Sequence, residues 1–132
     1  MILSPDTNLL VYAQDGREPV KQDIALQVLD ALASGGRCIV ALQVVGELFA
    51  VLTRRLKAPP DDARDSAVAT LRLFDTFGHD DADVHAALIL SAEGVFSYWD
   101  GLLVASASRA GCRYLISEDM QDGFRHGELE IV

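Results

Sequence analysis

Four acidic residues stand where an α/β chain can put carboxylates to chemical use. Asp6 follows the apolar run Met1 to Leu3 and opens Asp6-Thr7-Asn8. Asp100 lies three residues beyond Ser97, Asp119 ends the run Leu115-Ile116-Ser117-Glu118-Asp119, and Glu47 falls on the polar stripe of an amphipathic segment. Acids brought together without basic partners repel one another. They become compatible when a hard cation sits among them. Mg²⁺ and Mn²⁺ choose oxygen ligands and serve phosphoryl chemistry. Each acid also has an ordinary reading, Asp6, Asp100 and Asp119 as caps of structural elements and Glu47 as a solvated glutamate. The local sequence leaves both readings open.

The elements that would carry these acids can be read from capping and periodicity. Ser97 and Asp100 have the S-x-x-D spacing of a capping box, which starts a helix near Ser97. That helix runs through Leu102, Leu103, Val104, Ala105 and Ala107 to Arg109, with Gly111 as its stop. Its small apolar face predicts deep burial. A strand from Arg113 to Ile116 and an acidic turn at Glu118-Asp119 follow. In an open α/β sheet, helix starts and strand C-termini share one edge, the edge where ligands bind.

Met1 to Leu3 reads as a strand with Pro5 just beyond its last paired residue, because proline removes a ladder donor. Asp6, Thr7 and Asn8 are helix N-cap types and precede Leu9-Leu10-Val11-Tyr12. Helical spacing predicts a helix from Pro19 to Ser34, ended by Gly35-Gly36, and β-branched residues predict a strand from Arg37 to Ala41. Over Leu42 to Leu56, residues Val44, Val45, Leu48, Phe49, Val51, Leu52 and Leu56 make one face, opposite Gln43, Glu47, Ala50 and Arg54. Arg54, Arg55 and Lys57 close this helix with positive charge, as its dipole favours, and form the densest basic cluster of the chain. Pro59-Pro60 breaks the chain before a helix from Asp61 to Phe74, and a brief strand is expected around Phe74 to Phe77. His79-Asp80-Asp81-Ala82-Asp83-Val84-His85 lacks the glycine and distal glutamate of an EF-hand. Its acids read as the start of a helix from Asp83 to Glu93. Phe124 to Glu128 reads as a loop and Leu129 to Val132 as an edge strand. Alternating strands and helices favour a parallel sheet covered on both faces.

Composition bounds the class. The 132 residues suit one domain, residues 1–132, and half of them are apolar, enough for a sizeable core. With 11 Lys and Arg against 20 Asp and Glu, the net charge is −9. That excludes holding nucleic acid by bulk charge alone, and fits a chain that binds cations or works with a basic partner. No signal peptide and no apolar run of about 18 residues is seen, so a membrane partner is not expected. Cys38 and Cys112 lie beside strand residues and read as buried reduced thiols, and together these features suggest a cytoplasmic protein. There is no Walker loop, no G-x-G-x-x-G and no G-x-S-x-G, and the late lysine of a receiver domain is missing, since the last lysine is Lys57.

Taken in order, the acidic motifs resemble those of the PIN domain nucleases. Asp6-Thr7-Asn8-Leu9-Leu10-Val11-Tyr12 is similar to their opening motif, and Ser97-Tyr98-Trp99-Asp100 with Leu102-Leu103-Val104-Ala105 resembles their third acidic motif. Leu115 to Gly123 resembles the fourth, especially as found in VapC-type toxins, and Glu47 falls where the family has its second acid. Two departures stand out: Ser4-Pro5 replaces apolar strand residues, and Gly101 replaces a common alanine, which loosens the helix start.

The resemblance implies a three-layer α/β/α sandwich with a short central parallel sheet of four or five strands. It implies a Mg²⁺- or Mn²⁺-dependent endoribonuclease, with Asp6, Glu47, Asp100 and Asp119 as metal-holding and catalytic residues. Metal-activated water would then hydrolyse the RNA phosphodiester. Thr7, Asn8, Ser117 and, less centrally, Asp122 and Glu118 would orient ligands or waters, while Arg54, Arg55 and Lys57 would meet RNA. It further implies the toxin of a toxin–antitoxin pair, a cognate antitoxin that brings a basic residue to the acidic pocket, and a homodimer. Two other readings remain, a non-catalytic PIN-fold interaction module and a DNA-directed nuclease.

Overall fold

The structure, a computed structural model, describes residues 1–35 and 37–132. Along the chain the elements are β1 (Ile2–Pro5), α1 (Thr7–Tyr12), α2 (Pro19–Gly35), β2 (Ile39–Ala41), α3 (Leu42–Arg54), α4 (Pro60–Leu73), β3 (Asp75–Phe77), α5 (Asp81–Ala92), α6 (Tyr98–Arg109), β4 (Cys112–Ile116), β5 (Arg125–His126) and β6 (Leu129–Ile131). One sheet has the order β1-β4-β6-β5 and a second pairs β2 with β3. A parallel bridge between Leu3 and Cys38 joins the two. All pairings are parallel except β5 with β6. The result is an α/β fold with a mostly parallel central sheet flanked by helices. The larger sheet has four strands, within the expected four or five, and the segment expected as a loop at Phe124 to Glu128 contains its two-residue strand β5. The expected stop at Gly35-Gly36 falls partly outside the described residues, and α2 continues through Gly35.

Pro5 lies inside the ladder, paired with Ile116, rather than just beyond it. The reason is the direction of its nitrogen. Backbone N–H groups alternate sides along a strand. The Leu3 N–H faces β2, donating to the Arg37 carbonyl at 2.8 Å, and the Asp6 N–H faces β4, donating to the Ile116 carbonyl at 3.0 Å. The Pro5 nitrogen therefore faces the β2 side, where pairing has ended, and no ladder bond is lost.

The core is built from the apolar stripe of α3 (Val44, Val45, Leu48, Leu52), from Leu103, Val104 and Ala107 of α6, and from Val40, Leu115, Leu129 and Ile131 of the strands. α6 is buried from Gly101 through Ala107, as its small apolar face requires. Cys38 and Cys112 are free and buried, and burial pushes their thiols up to about 11 and about 12. Among the described residues, no helix is long and apolar enough to cross a membrane.

Within 79–85, Asp80 and Asp83 build the start of α5. Asp80 caps α5, and the Asp83 carboxylate returns the bond to the Asp80 N–H, which completes a capping box. Asp83 also accepts from Arg109 Nε at 2.9 Å. The helix starts at Asp81, two residues earlier than expected, because Asp80 is its cap.

Candidate functional site

Parallel pairing of β1 with β4 sets Pro5 beside Ile116, so the residues after both strands emerge side by side. Asp6 follows β1 and Ser117 to Asp119 follow β4. β2 runs without a break into α3, which brings Gln43 and Glu47 to the same edge. The start of α6 supplies Asp100. These contributions meet in one cleft of ≈ 160 Å³, lined by Asp6, Thr7, Asn8, Gln43, Glu47, Val51, Asp100, Leu103, Asp119 and Met120. It contains all four acids singled out from the sequence and no lysine, arginine or histidine.

Asp6 is 5% exposed and both lines the cleft and caps α1, accepting from the Leu9 N–H at 3.3 Å. Burial raises its carboxyl above the ordinary value, and the charge of Asp119 adds to this against hydrogen bonds from Ser117 and Leu9. Burial also raises Asp100, opposed by Ser97 and reinforced by the negative charges of Glu47 and Asp119. The acids therefore feel one another, as like charges do when crowded. In α6 the Ser97 hydroxyl accepts from the Asp100 N–H at 3.2 Å, but the reciprocal bond that Asp83 makes in α5 is not formed. That leaves the Asp100 carboxylate to the cleft.

Neutral donors hold the other two acids. Thr7 Oγ1 donates to Glu47 Oε2 at 2.8 Å, and Gln43 Nε2 donates to Glu47 Oε1 at 2.8 Å. Asn8 Nδ2 donates to Asp119 Oδ2. Ser117 Oγ accepts from the N–H groups of Asp119 and Met120 at 3.3 and 3.1 Å, which folds the turn after β4. As the side chains stand, no group of three or more Asp, Glu, His or Cys among the described residues converges tightly enough to grip an ion. The donor chemistry nevertheless suits a hard divalent cation: four carboxylates, all oxygen donors, with no competing cationic side chain in the cleft.

The remaining candidates lie outside the cleft. Glu118 pairs with Lys21 at 3.3 Å, Asp122 is exposed, and Arg54, Arg55 and Lys57 sit at the far end of α3. The sequence places Gln43 only on the polar face of its helix, whereas in the structure it holds Glu47. Its signal was the spacing, since residues four apart on a helix are neighbours and Gln43 precedes Glu47 by four.

Comparison with known proteins adds the following. The family model described as PIN domain matches residues 4–126. No curated protein matches the chain. Among solved structures, the fold is similar to VapBC2 of Rickettsia felis bound to a DNA fragment from its promoter, with TM-score 0.73, 18% identity, and coverage of 100% of this chain and 98% of that one. It is similar to VapC20 of Mycobacterium tuberculosis, a toxin that cleaves the sarcin–ricin loop, with TM-score 0.70, 16% identity and coverage of 92% and 90%. It is also similar to a toxin–antitoxin complex from Klebsiella pneumoniae, with TM-score 0.70, 18% identity and coverage of 98% and 95%.

Proposed function

The chain belongs to the PIN domain family, and from that premise we propose that it is a Mg²⁺- or Mn²⁺-dependent endoribonuclease, the toxin of a toxin–antitoxin pair. The observation that carries this reading is the meeting of Asp6, Glu47, Asp100 and Asp119, from four separate places in the chain, in one cleft free of basic side chains. That arrangement is unfavourable without a cation and useful with one. Asp6, Glu47, Asp100 and Asp119 would hold the ion. Bound there, such an ion supplies an acidified water and positive charge against the phosphodiester.

The chain's own residues do the positioning. Asp6 is set by its bond from Leu9, so its carboxylate is presented by the α1 start. Thr7 and Gln43 fix both oxygens of Glu47, and Asn8 fixes one oxygen of Asp119. Leu103, Val51 and Met120 give the cleft an apolar lining, which strengthens electrostatic interactions inside it. The bond broken would be P–O3′, leaving a 5′-phosphate and a 3′-hydroxyl. Arg54, Arg55 and Lys57 are candidates for RNA contact beyond the cleft.

The likeness to toxin–antitoxin complexes supports an antitoxin partner, and the acidic cleft suits one that brings a basic residue to it. A homodimer and a cytoplasmic location belong to the same proposal, as does treating residues 1–132 as one domain. A non-catalytic module is the competing reading, favoured by the cap that Asp6 makes and by the hydrogen bonds that engage Glu47 and Asp119. Incubation with single-stranded and loop RNA, with Mg²⁺ or Mn²⁺ and with EDTA, decides between them. Cleavage that needs metal and vanishes in Asp6→Asn and Asp100→Asn supports the enzyme. Uncut RNA supports the module, and preferential cutting of DNA in the same assay supports a DNA-directed nuclease.

A further inference from the structure

Beside the acidic cleft lies a second cavity of ≈ 540 Å³, lined by Gln43, Gly46, Glu47, Ala50, His79 and Trp99. Gln43 and Glu47 line both, so the two spaces share a wall. Trp99 is 61% exposed, although it directly precedes an acid of the cleft. Its indole meets the Tyr98 ring edge to face at 4.9 Å, and its carbonyl accepts from Gln43 Nε2 at 2.8 Å. The backbone under the ring is therefore tied to α3, while the residue itself stays largely exposed.

The floor of the cavity is one face of α3, at positions 43, 46, 47 and 50. Gly46 is in the helix interior, where glycine is unfavourable. Packing does not demand it, because a Cβ at Gly46 would meet nothing within 4 Å. Its missing side chain instead keeps the space in front of Trp99 open.

We propose that this cavity is a nucleobase subsite, in which a base of the substrate strand stacks on Trp99 while the neighbouring phosphate enters the acidic cleft. The ligand rests on the ribonuclease reading above. Aromatic stacking suits this surface because every base has a π face and stacking needs no positive field, which this acidic chain lacks. Trp99 acts here as a positioning residue, holding the strand while the acids face the scissile phosphate.

Trp99 is the chain's one tryptophan, so its fluorescence reports the subsite directly. The probes are a phosphorothioate hexaribonucleotide that resists cleavage and its abasic sugar–phosphate counterpart, both titrated in Mg²⁺. The hexaribonucleotide is expected to quench Trp99, and the abasic strand to bind about tenfold more weakly without quenching. Trp99→Ala should raise the hexaribonucleotide Kd and the KM for cleavable RNA about tenfold, with kcat moving much less. Trp99→Phe should recover most of the loss. Gly46→Leu, at an open helix position, should fill the floor and weaken base binding while circular dichroism stays native. Cleavage by Trp99→Ala with a wild-type KM overturns the subsite and leaves the nuclease reading standing. Base-dependent quenching in a protein that cuts no RNA overturns the nuclease reading alone. Trp99 emission that shifts with protein concentration and not with RNA would assign this face to a second copy of the chain, which also overturns the proposal.

Discussion

Thr7 Oγ1 lies 2.8 Å from Glu47 Oε2, a hydrogen bond that spans 40 residues of chain and ties the first turn of α1 to the second turn of α3. Thr7 is buried, and its neighbour Asp6 caps the same helix. One side of the bond is set by a strand-to-helix turn and the other by a helix that begins directly after β2. The bond exists only because both turns open on one sheet edge.

Thr7→Val keeps the shape of the side chain and removes the donor. Glu47 then retains only Gln43. Loss of a partner that orients a metal-ligating carboxylate typically lowers activity or metal affinity 10–100-fold, roughly the drop expected here in Mn²⁺-dependent cleavage. Stability should fall by only ~1 kcal/mol. Paired kcat/KM and urea midpoint measurements check both, and an unaltered rate would show that the Thr7 bond is not needed to orient Glu47.

Burial first, and then the charges of Glu47 and Asp119, raise the Asp100 carboxyl above 3.8. A carboxyl raised in the folded state contributes stability below its unfolded value, and that contribution is lost as pH rises through the folded value. Above this window the ionised carboxylate is a burden on the metal-free protein. Asp100→Asn should therefore raise the melting temperature in EDTA at pH 7, with the difference shrinking toward pH 3.8. Asp119→Asn should act in the same direction by relieving repulsion in the cleft. Mn²⁺ should raise wild type more than either variant, since a ligand of the native state stabilises it. Lower melting temperatures for both variants in EDTA, with no Mn²⁺ effect on wild type, would make these acids structural.

Gly101 lies where α6 crosses α5, and a Cβ there would meet the Ala87 Cα at 3.4 Å and its carbonyl oxygen at 3.5 Å, which is ordinary contact. Gly101→Ala should thus stabilise the fold by roughly 0.5–1 kcal/mol, the gain of alanine over glycine in a helix. A lower urea midpoint would show that the two helices need the closer approach glycine allows.

Arg109 donates to both oxygens of Asp83, whose side chain is 4% exposed. Arg109→Met leaves that carboxylate with only its bond from the Asp80 N–H. A cost of roughly 1–3 kcal/mol is expected, the range for a buried polar group that loses its partner. Asp83→Asn in the same chain should return part of it, which a double-mutant cycle measures. RNA cleavage by the folded variant should match wild type, because neither residue lines the cleft.

Local rules made much of this protein legible from sequence. Capping chemistry marked the starts of α1 and α6, apolar spacing marked α3, and the small apolar run of α6 foretold its burial. These signals act within one or two turns of chain, so they survive without knowledge of the fold. Distinguishing the acids needed more. Asp83 and Asp100 both stand in the first turn of a helix behind a capping residue, yet Asp83 closes its capping box against Arg109 and Asp100 turns its carboxylate to the cleft. Glu47 on a polar helix face looks solvated until α3 is docked against α1. The parallel register of β1 with β4, the bridge from β1 to β2 and the resulting order of helix starts decided which carboxylates would meet. The sequence by itself determined which side chains could hold a cation. Their convergence, and the bonds from Thr7, Asn8 and Gln43 that hold Glu47 and Asp119, came from tertiary structure, because mutual repulsion and long-range hydrogen bonding depend on distances that no local pattern encodes.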